Sequence, residues 1–285
     1  MPLPLSRASI FADGLDHSEC LALHPDGHWY AGGEAGQIYR IAPDGSKVEQ
    51  IADTGGFVLG VAVSPDGKWL AICDLKNKCV FKLELVGLTL SEWTRGGDKA
   101  FQIPNHLAFT PAGDLFVTDS GAMGKAIGRI HRFNRDGDGG VWHAGPFKFA
   151  NGIAIGPDGQ SVFLCCTWLP GVERIEIKPD GSAGRRSVYA RFTKSLPDGL
   201  CFDARGNLYV SCYIPARIYK ITPQRKVSIL IDDWEAHTLC NPTNIAFGGK
   251  NFDELFAANL GRWHITRIAL KTRGLPLASH GKGSA

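Results

Sequence analysis

One short pattern recurs six times along the 285-residue chain, and no other feature limits the possible folds as much. An alternating apolar stretch runs into a turn of the Pro-Asp-Gly type and is followed by a second strand-like stretch. Leu21-Ala22-Leu23-His24-Pro25-Asp26-Gly27 and Val61-Ala62-Val63-Ser64-Pro65-Asp66-Gly67 are the first two copies; the others start at Leu107, Ile153, Leu200 and Ile245. Aligned on the turn, positions 19, 59, 105, 151, 198 and 243 correspond, at steps of 40, 46, 46, 47 and 45 residues. Apolar residues recur every second position, which argues for strands and against a helical repeat. A strand-rich period of this length matches a four-stranded propeller blade of about 40–50 residues. The expected fold is therefore all-β: a six-bladed β-propeller with four-stranded antiparallel blades, one domain over residues 1–285. The last unit lacks an outer strand after Ile265–Leu270, and Arg7–Ala12, ahead of the first unit, is expected to supply it, leaving no open sheet edge. The tail from Ser279 to Ala285 is expected to be disordered.

Charge and composition exclude several classes of partner. Lys plus Arg number 31 and Asp plus Glu 28, a formal charge of +3, and the basic residues form no stripe. Nucleic acid is accordingly not expected as a partner. No uninterrupted apolar run approaches the roughly 18 residues of a membrane span, so none is expected. The start, Met1-Pro2-Leu3-Pro4-Leu5, does not read as a secretory signal. None of the eight cysteines forms a Cys-x-x-Cys pair, which argues against a structural zinc site. They read as small buried hydrophobes of a reducing compartment, and the expected location is cytoplasmic. A monomer or weak homo-oligomer is expected.

The aligned positions carry the chemistry. In a propeller the innermost strand of each blade lines the central channel, so residues at its start converge at one end of the axis. Here they are Glu19, Leu59, Asn105, Asn151, Asp198 and Thr243. Glu19, Asn105, Asn151 and Asp198 offer carboxylate or carboxamide oxygens without His or Cys, the donor set of a hard divalent cation. One Glu and one Asp neutralise such an ion, whereas facing each other without it they repel. Taken singly, Asn151-Gly152 and Asp198-Gly199 are also ordinary turn dipeptides; four oxygen-bearing residues at one repeat position favour a shared site. Ca²⁺ leads as the expected ion, with Mg²⁺, Mn²⁺ and Zn²⁺ as alternatives. The second strand of each hairpin returns to the same end at Gly33, Asp74, Asp119, Cys166, Cys212 and Asn259. Asp119 stands first among these as a carboxylate backing the ligands or contacting substrate, with Asp74 and Asn259 behind it, and a structural role in a turn weighs equally for each. Cys166 and Cys212 read as packing residues. Trp168, Tyr213, Trp263 and His264 lie in loops over the same face and suit a small organic substrate. His106 follows Asn105 directly, and strand alternation turns it away from the axis, so it ranks below Asp119.

Ser18-Glu19, Pro104-Asn105, Ala150-Asn151-Gly152-Ile153-Ala154, Pro197-Asp198-Gly199-Leu200 and Ala258-Asn259-Leu260-Gly261-Arg262-Trp263-His264 recur in this order and spacing in a known family. The chain resembles the gluconolactonases, senescence marker protein (regucalcin) and luciferin-regenerating enzyme across nearly its whole length. The resemblance implies a six-bladed propeller with a metal-dependent hydrolase site. Glu19, Asn151 and Asp198 fall where the family holds its metal, Asn105 where it places a ligand or substrate-contacting amide, and Asp198 at the carboxylate proposed as base or nucleophile. Three departures stand out: Cys20 in place of Gly-Pro after Glu19, His106 in place of Asp, and Cys165-Cys166-Thr167-Trp168 in place of Ala-Asp-Ser or Ala-Asp-Thr. The last, with Phe149-Ala150-Asn151-Gly152, also resembles strictosidine-synthase-like propellers. The expected activity is hydrolysis of a small sugar or organic-acid lactone with Asp198 as the catalytic residue. Phosphotriester or ester hydrolysis at the same site, and a non-catalytic calcium-binding propeller, are the alternatives.

Overall fold

In a computed structural model, which describes residues 1–280, the six repeats form six four-stranded antiparallel sheets. The inner strands are Leu21–Leu23, Val58–Val63, Pro104–Phe109, Ala150–Ile155, Leu196–Phe202 and Pro242–Gly248, numbered here as blades 1 to 6. In blades 1 to 5 the three strands that follow step outward in chain order, each paired with the one before. Each Pro-Asp-Gly turn reverses the chain between the first two strands. Gly27 and Gly67 take φ values of +93° and +70° there, a conformation that a side chain strains.

Blade 6 is assembled from both ends of the chain. Its strands Pro242–Gly248, Glu254–Asn259 and His264–Ile268 are completed by Ala8–Asp13, which pairs antiparallel to the third with Ala8 opposite Ile268 and Asp13 opposite His264. The expected closing strand is thus in place: it pairs the free edge of His264–Ile268 and gives blade 6 the four strands of the other blades.

The core lies between blades. Trp29 and Leu23 of blade 1 pack on Phe256 and Ala246 of blade 6, and Phe163 and Cys165 of blade 4 on Phe202 and Val210 of blade 5. Each buried large apolar side chain of this kind contributes about 1.5–3 kcal/mol. All eight cysteines are unpaired; seven are buried and Cys201 is half-buried. Among the described residues no helix is long and apolar enough to cross a membrane. Part of the expected disordered tail is ordered: Ala278–His280 forms a short 3₁₀ turn with Ser279 buried. Residues 281–285 lie outside the described residues.

Candidate metal centre

The inner strands of blades 2 to 6 each enter the channel through an irregularity, whereas that of blade 1 pairs in regular register. The register of pairing shifts between Val58 and Gly60, Pro104 and Leu107, Ala150 and Ile153, Pro197 and Leu200, and Pro242 and Asn244. An inserted residue of this kind bends the strand and re-aims side chains. Gly152 and Gly199 serve close packing here rather than a turn. A Cβ on Gly152 would sit 2.3 Å from the Asp198 carbonyl oxygen, and one on Gly199 2.6 Å from that of Thr243. Glycine therefore lets each blade bring its oxygen-bearing residue against the next.

A circumferential chain of hydroxyls orients the carboxamides. Ser120 donates to the carbonyl of Ala150 at 2.6 Å, so its oxygen is left to accept from Asn105 Nδ2 at 3.0 Å. Thr167 repeats the device one blade on: it donates to Pro197 O at 2.9 Å and accepts from Asn151 Nδ2 at 3.2 Å. Because each hydroxyl has one proton and spends it on a carbonyl, the amide nitrogen of each Asn must face it. The Oδ1 atoms of Asn105 and Asn151 are thereby left free of these bonds. Thr243 completes the circle, donating to the Glu19 carbonyl at 2.8 Å.

Glu19 and Asp198 sit deep in the channel, partly open to it. Burial pushes Glu19 up to about 8; the Thr243 hydroxyl pulls it back and the Glu34 charge adds to the rise. Asp198 is raised well above the carboxylate range by burial first and repulsion from Glu19 second, against a hydrogen bond with Asn151. Tyr213 senses the same pair: burial raises its phenol, and Glu19 and Asp198 add to the rise. Two desolvated carboxylates within repelling reach and two pre-oriented carboxamides are the donor types that a hard divalent cation takes. Among the described residues no group of three or more His, Cys, Asp or Glu gathers; this set has two carboxylates, and its other donors are amides.

Several expected contacts lie elsewhere. Asp119 is fully buried and accepts the backbone N–H groups of Ile103 at 2.8 Å, Gln102 at 3.2 Å and Gly121 at 3.1 Å. It braces the loop that leads into Asn105 and offers substrate no surface. Asp74 and Asn259 play the same part in blades 2 and 6, accepting from Phe57 N at 3.2 Å and Cys240 N at 2.9 Å. His264 is likewise buried, with Nε2 at 3.0 Å from the Thr238 carbonyl. Trp168 and Trp263 are exposed; Trp168 neighbours Phe149, and Trp263 lies 5.4 Å from the His17 ring. Cys166 and Cys212 are buried packing residues, as expected.

His106 departs most from expectation. The strand irregularity cancels the alternation that was to turn it away, and it lines the channel with Nε2 against the Asn244 carboxamide. Burial lowers its imidazole to about 4, and the Ile153 N–H points at Nδ1 from 3.5 Å. Tyr213, expected in a loop over this face, lies near the pair. Three residues near the oxygen donors were not singled out from sequence: Ser120, Thr167 and Glu34. They stand one position past the strand ends at Asp119, Cys166 and Gly33, so the repeat itself held the signal.

A family model described as the SMP-30/Gluconolactonase/LRE-like region matches residues 87–259, well over half of the chain. The chain belongs to this family. Among SMP-30/gluconolactonase/LRE-like relatives, regucalcin of Pongo abelii is 35% identical over 79 residues, covering 26% of this chain and 24% of that protein. Gluconolactonase of Zymomonas mobilis is 26% identical over 237 residues, covering 75% and 64% respectively. The chain thus spans less than two thirds of the length of either relative. The solved structure of a calcium-binding protein, regucalcin, from Agrobacterium tumefaciens has a TM-score of 0.76 at 14% identity, covering 94% of this chain and 96% of that one. At that identity the likeness is one of fold.

Proposed function

We propose that this chain is a divalent-metal-dependent lactonase that opens a small sugar or organic-acid lactone, with Ca²⁺ held by Glu19, Asn105, Asn151 and Asp198. The observation that carries the reading is the pairing of Glu19 with Asp198 in the channel, both raised by burial and flanked by two carboxamides whose oxygens are left free. The family relation to gluconolactonase supports the bond cleaved. A divalent cation in this ring supplies positive charge that neutralises the two carboxylates and polarises an ester carbonyl.

The chain's own residues do the rest. Asn105 and Asn151 are held by Ser120 and Thr167, so their dipoles need no reorganisation as charge develops at the carbonyl oxygen. Asp198, once ionised, accepts a proton from the attacking water, the role of a general base. Direct attack of its Oδ atom on the carbonyl carbon, giving an acyl-enzyme that water then opens, is the variant of the same step. Tyr213, beside both carboxylates, is positioned to meet the lactone as it enters.

The test is metal analysis of the purified protein followed by hydrolysis of sugar lactones, aliphatic lactones and aryl phosphotriesters, each with and without chelator. Chelator-sensitive turnover of a lactone is expected, with Asp198→Asn reducing kcat by at least about a hundredfold. Phosphotriester turnover without lactone turnover would change the bond cleaved. An Asp198→Asn variant that binds the cation and hydrolyses lactone at the full rate would remove Asp198 from the chemistry. A second reading, a calcium-binding propeller without turnover, is favoured by the likeness to the calcium-binding regucalcin structure; it predicts tight Ca²⁺ binding and no lactone opened.

A further inference from the structure

The bond between His106 and Asn244 joins blades 3 and 6, which face each other across the ring. It forms a bar across the bore just below the oxygen donors. Under the bar lies a cavity of about 300 Å³ whose lining includes His106 and Asn244 but none of the four donors. Its wall is nearly all apolar. Ala22, Ala62, Ala108, Ala154, Cys201 and Ala246 repeat one small residue per inner strand, which keeps the bore open at this level.

The far end is covered by the chain's C-terminal segment. After the last strand the chain crosses under blades 5 and 6, where Ala204 donates to Arg273 O at 2.9 Å, Gly274 to Phe252 O at 2.7 Å and Leu275 to Phe202 O at 3.0 Å. Leu275, Pro276, Leu277, Ala278 and Ser279 then form the cavity floor, and Ala278 packs on the cluster between blades 2 and 3. The turns at Pro111 and Pro157 border the cavity on the side of blades 3 and 4, so a ligand passes between them and this strap.

We infer that the lower half of the channel is a second binding site, separate from the oxygen ring, for a small uncharged apolar molecule of about the size of a bicyclic aromatic. An apolar cavity of about 150 Å³ stays dry and binds benzene, and this one has about 300 Å³. Its lining carries no Asp, Glu, Lys or Arg, so a charged ligand would be desolvated there without a partner. The two polar groups of its roof are bonded to each other and make no demand on the ligand.

The probe is 1-aminonaphthalene, uncharged at neutral pH, titrated by fluorescence into the full-length protein saturated with Ca²⁺. Saturable binding at one site is expected, with a blue shift of its emission. Ala62→Leu and Ala154→Leu, which fill the bore from blades 2 and 4, are each expected to weaken it by about tenfold or more, the 1.4 kcal/mol equivalent of a lost fit. Calcium titration and thermal unfolding of both variants establish that the fold and the oxygen ring persist. Alkylation of Cys201 by N-ethylmaleimide, followed by peptide mass spectrometry, gives a readout on the native chain; the probe is expected to slow it. No saturable binding, unchanged affinity in both folded variants, or Cys201 alkylation indifferent to the probe would each overturn the assignment.

Discussion

Replacing Glu19 by Gln should stabilise the cation-free protein at alkaline pH, although it removes a residue at the centre of the fold. Glu19 has an ordinary value of 4.5 and is pushed up to about 8, so the folded chain holds its proton more tightly than the unfolded one. Between these two values the native state binds more protons than the unfolded state, and stability therefore falls as pH rises. The loss begins near pH 4.5 and is complete above about pH 8. Each pH unit of displacement is worth about 1.4 kcal/mol, which places the full cost of ionising Glu19 on the order of 5 kcal/mol. That figure is an upper bound, since water in the channel screens the charge and the carboxylate titrates together with Asp198. In a domain of this size roughly 2 °C of melting temperature accompanies each kcal/mol, so the gain approaches 10 °C.

The assay is calorimetric unfolding in chelator at pH 5, 7 and 9, for the native chain and Glu19→Gln. The native protein should lose melting temperature from pH 5 to pH 9 and the variant much less, with the variant ahead at pH 9. Added Ca²⁺ should reverse the order, because a cation that binds the ionised pair stabilises only the chain that has it. A variant less stable than the native chain at every pH in chelator would show that the Glu19 carboxyl is satisfied within the protein and that its burial carries no charge penalty.

Ser120→Ala removes the acceptor of Asn105 Nδ2 and the donor to the Ala150 carbonyl; calorimetric titration should show Ca²⁺ affinity about 10–100-fold weaker, with a stability loss of about 1–3 kcal/mol from the orphaned groups. Gly152→Ala sets a methyl 2.3 Å from the Asp198 carbonyl oxygen and should cost about 1–3 kcal/mol in urea unfolding. Asp119→Ala orphans the buried N–H groups of Gln102, Ile103 and Gly121; a loss of at least about 1–3 kcal/mol is expected in the same assay, whereas a substrate contact would instead raise KM on a stable fold.

The architecture was legible because the repeat states it six times over. Each copy pairs an alternating stretch with a turn that needs glycine, and sequence spacing then becomes angular position around a ring. Even the closing strand followed from counting, since the last unit is one strand short and Ala8–Asp13 is spare. The surroundings of the oxygen donors were less legible, for a reason that Asp119 makes plain. A carboxylate at the end of a channel strand has two places to go: into the bore, or back onto the loop that enters the same blade. Three loop N–H groups decide for the second, and nothing in the residue's own identity records them. Ser120 and Thr167 escaped notice for the converse reason. Hydroxyl residues are common at strand ends, and their significance lies in the carbonyl of the neighbouring blade, some 30 residues further along the chain.

His106 illustrates how a single inserted residue changes which way a side chain faces. Regular alternation would send Asn105 to the channel and its successor into the sheet. With the register shifted between Pro104 and Leu107, both face inward, one above the other. At the corresponding positions of blades 2, 4 and 5 the successor is Gly60, Gly152 or Gly199, which leaves the bore clear. Blades 3 and 6 instead carry His106 and Asn244, and only opposed blades can join two side chains through the axis. A bore without this bar would let water reach Glu19 and Asp198 from both ends and relieve the desolvation that raises them. The same pair of residues that roofs an apolar cavity below thus keeps the carboxylates above it short of water, and short of water they gain most from a cation.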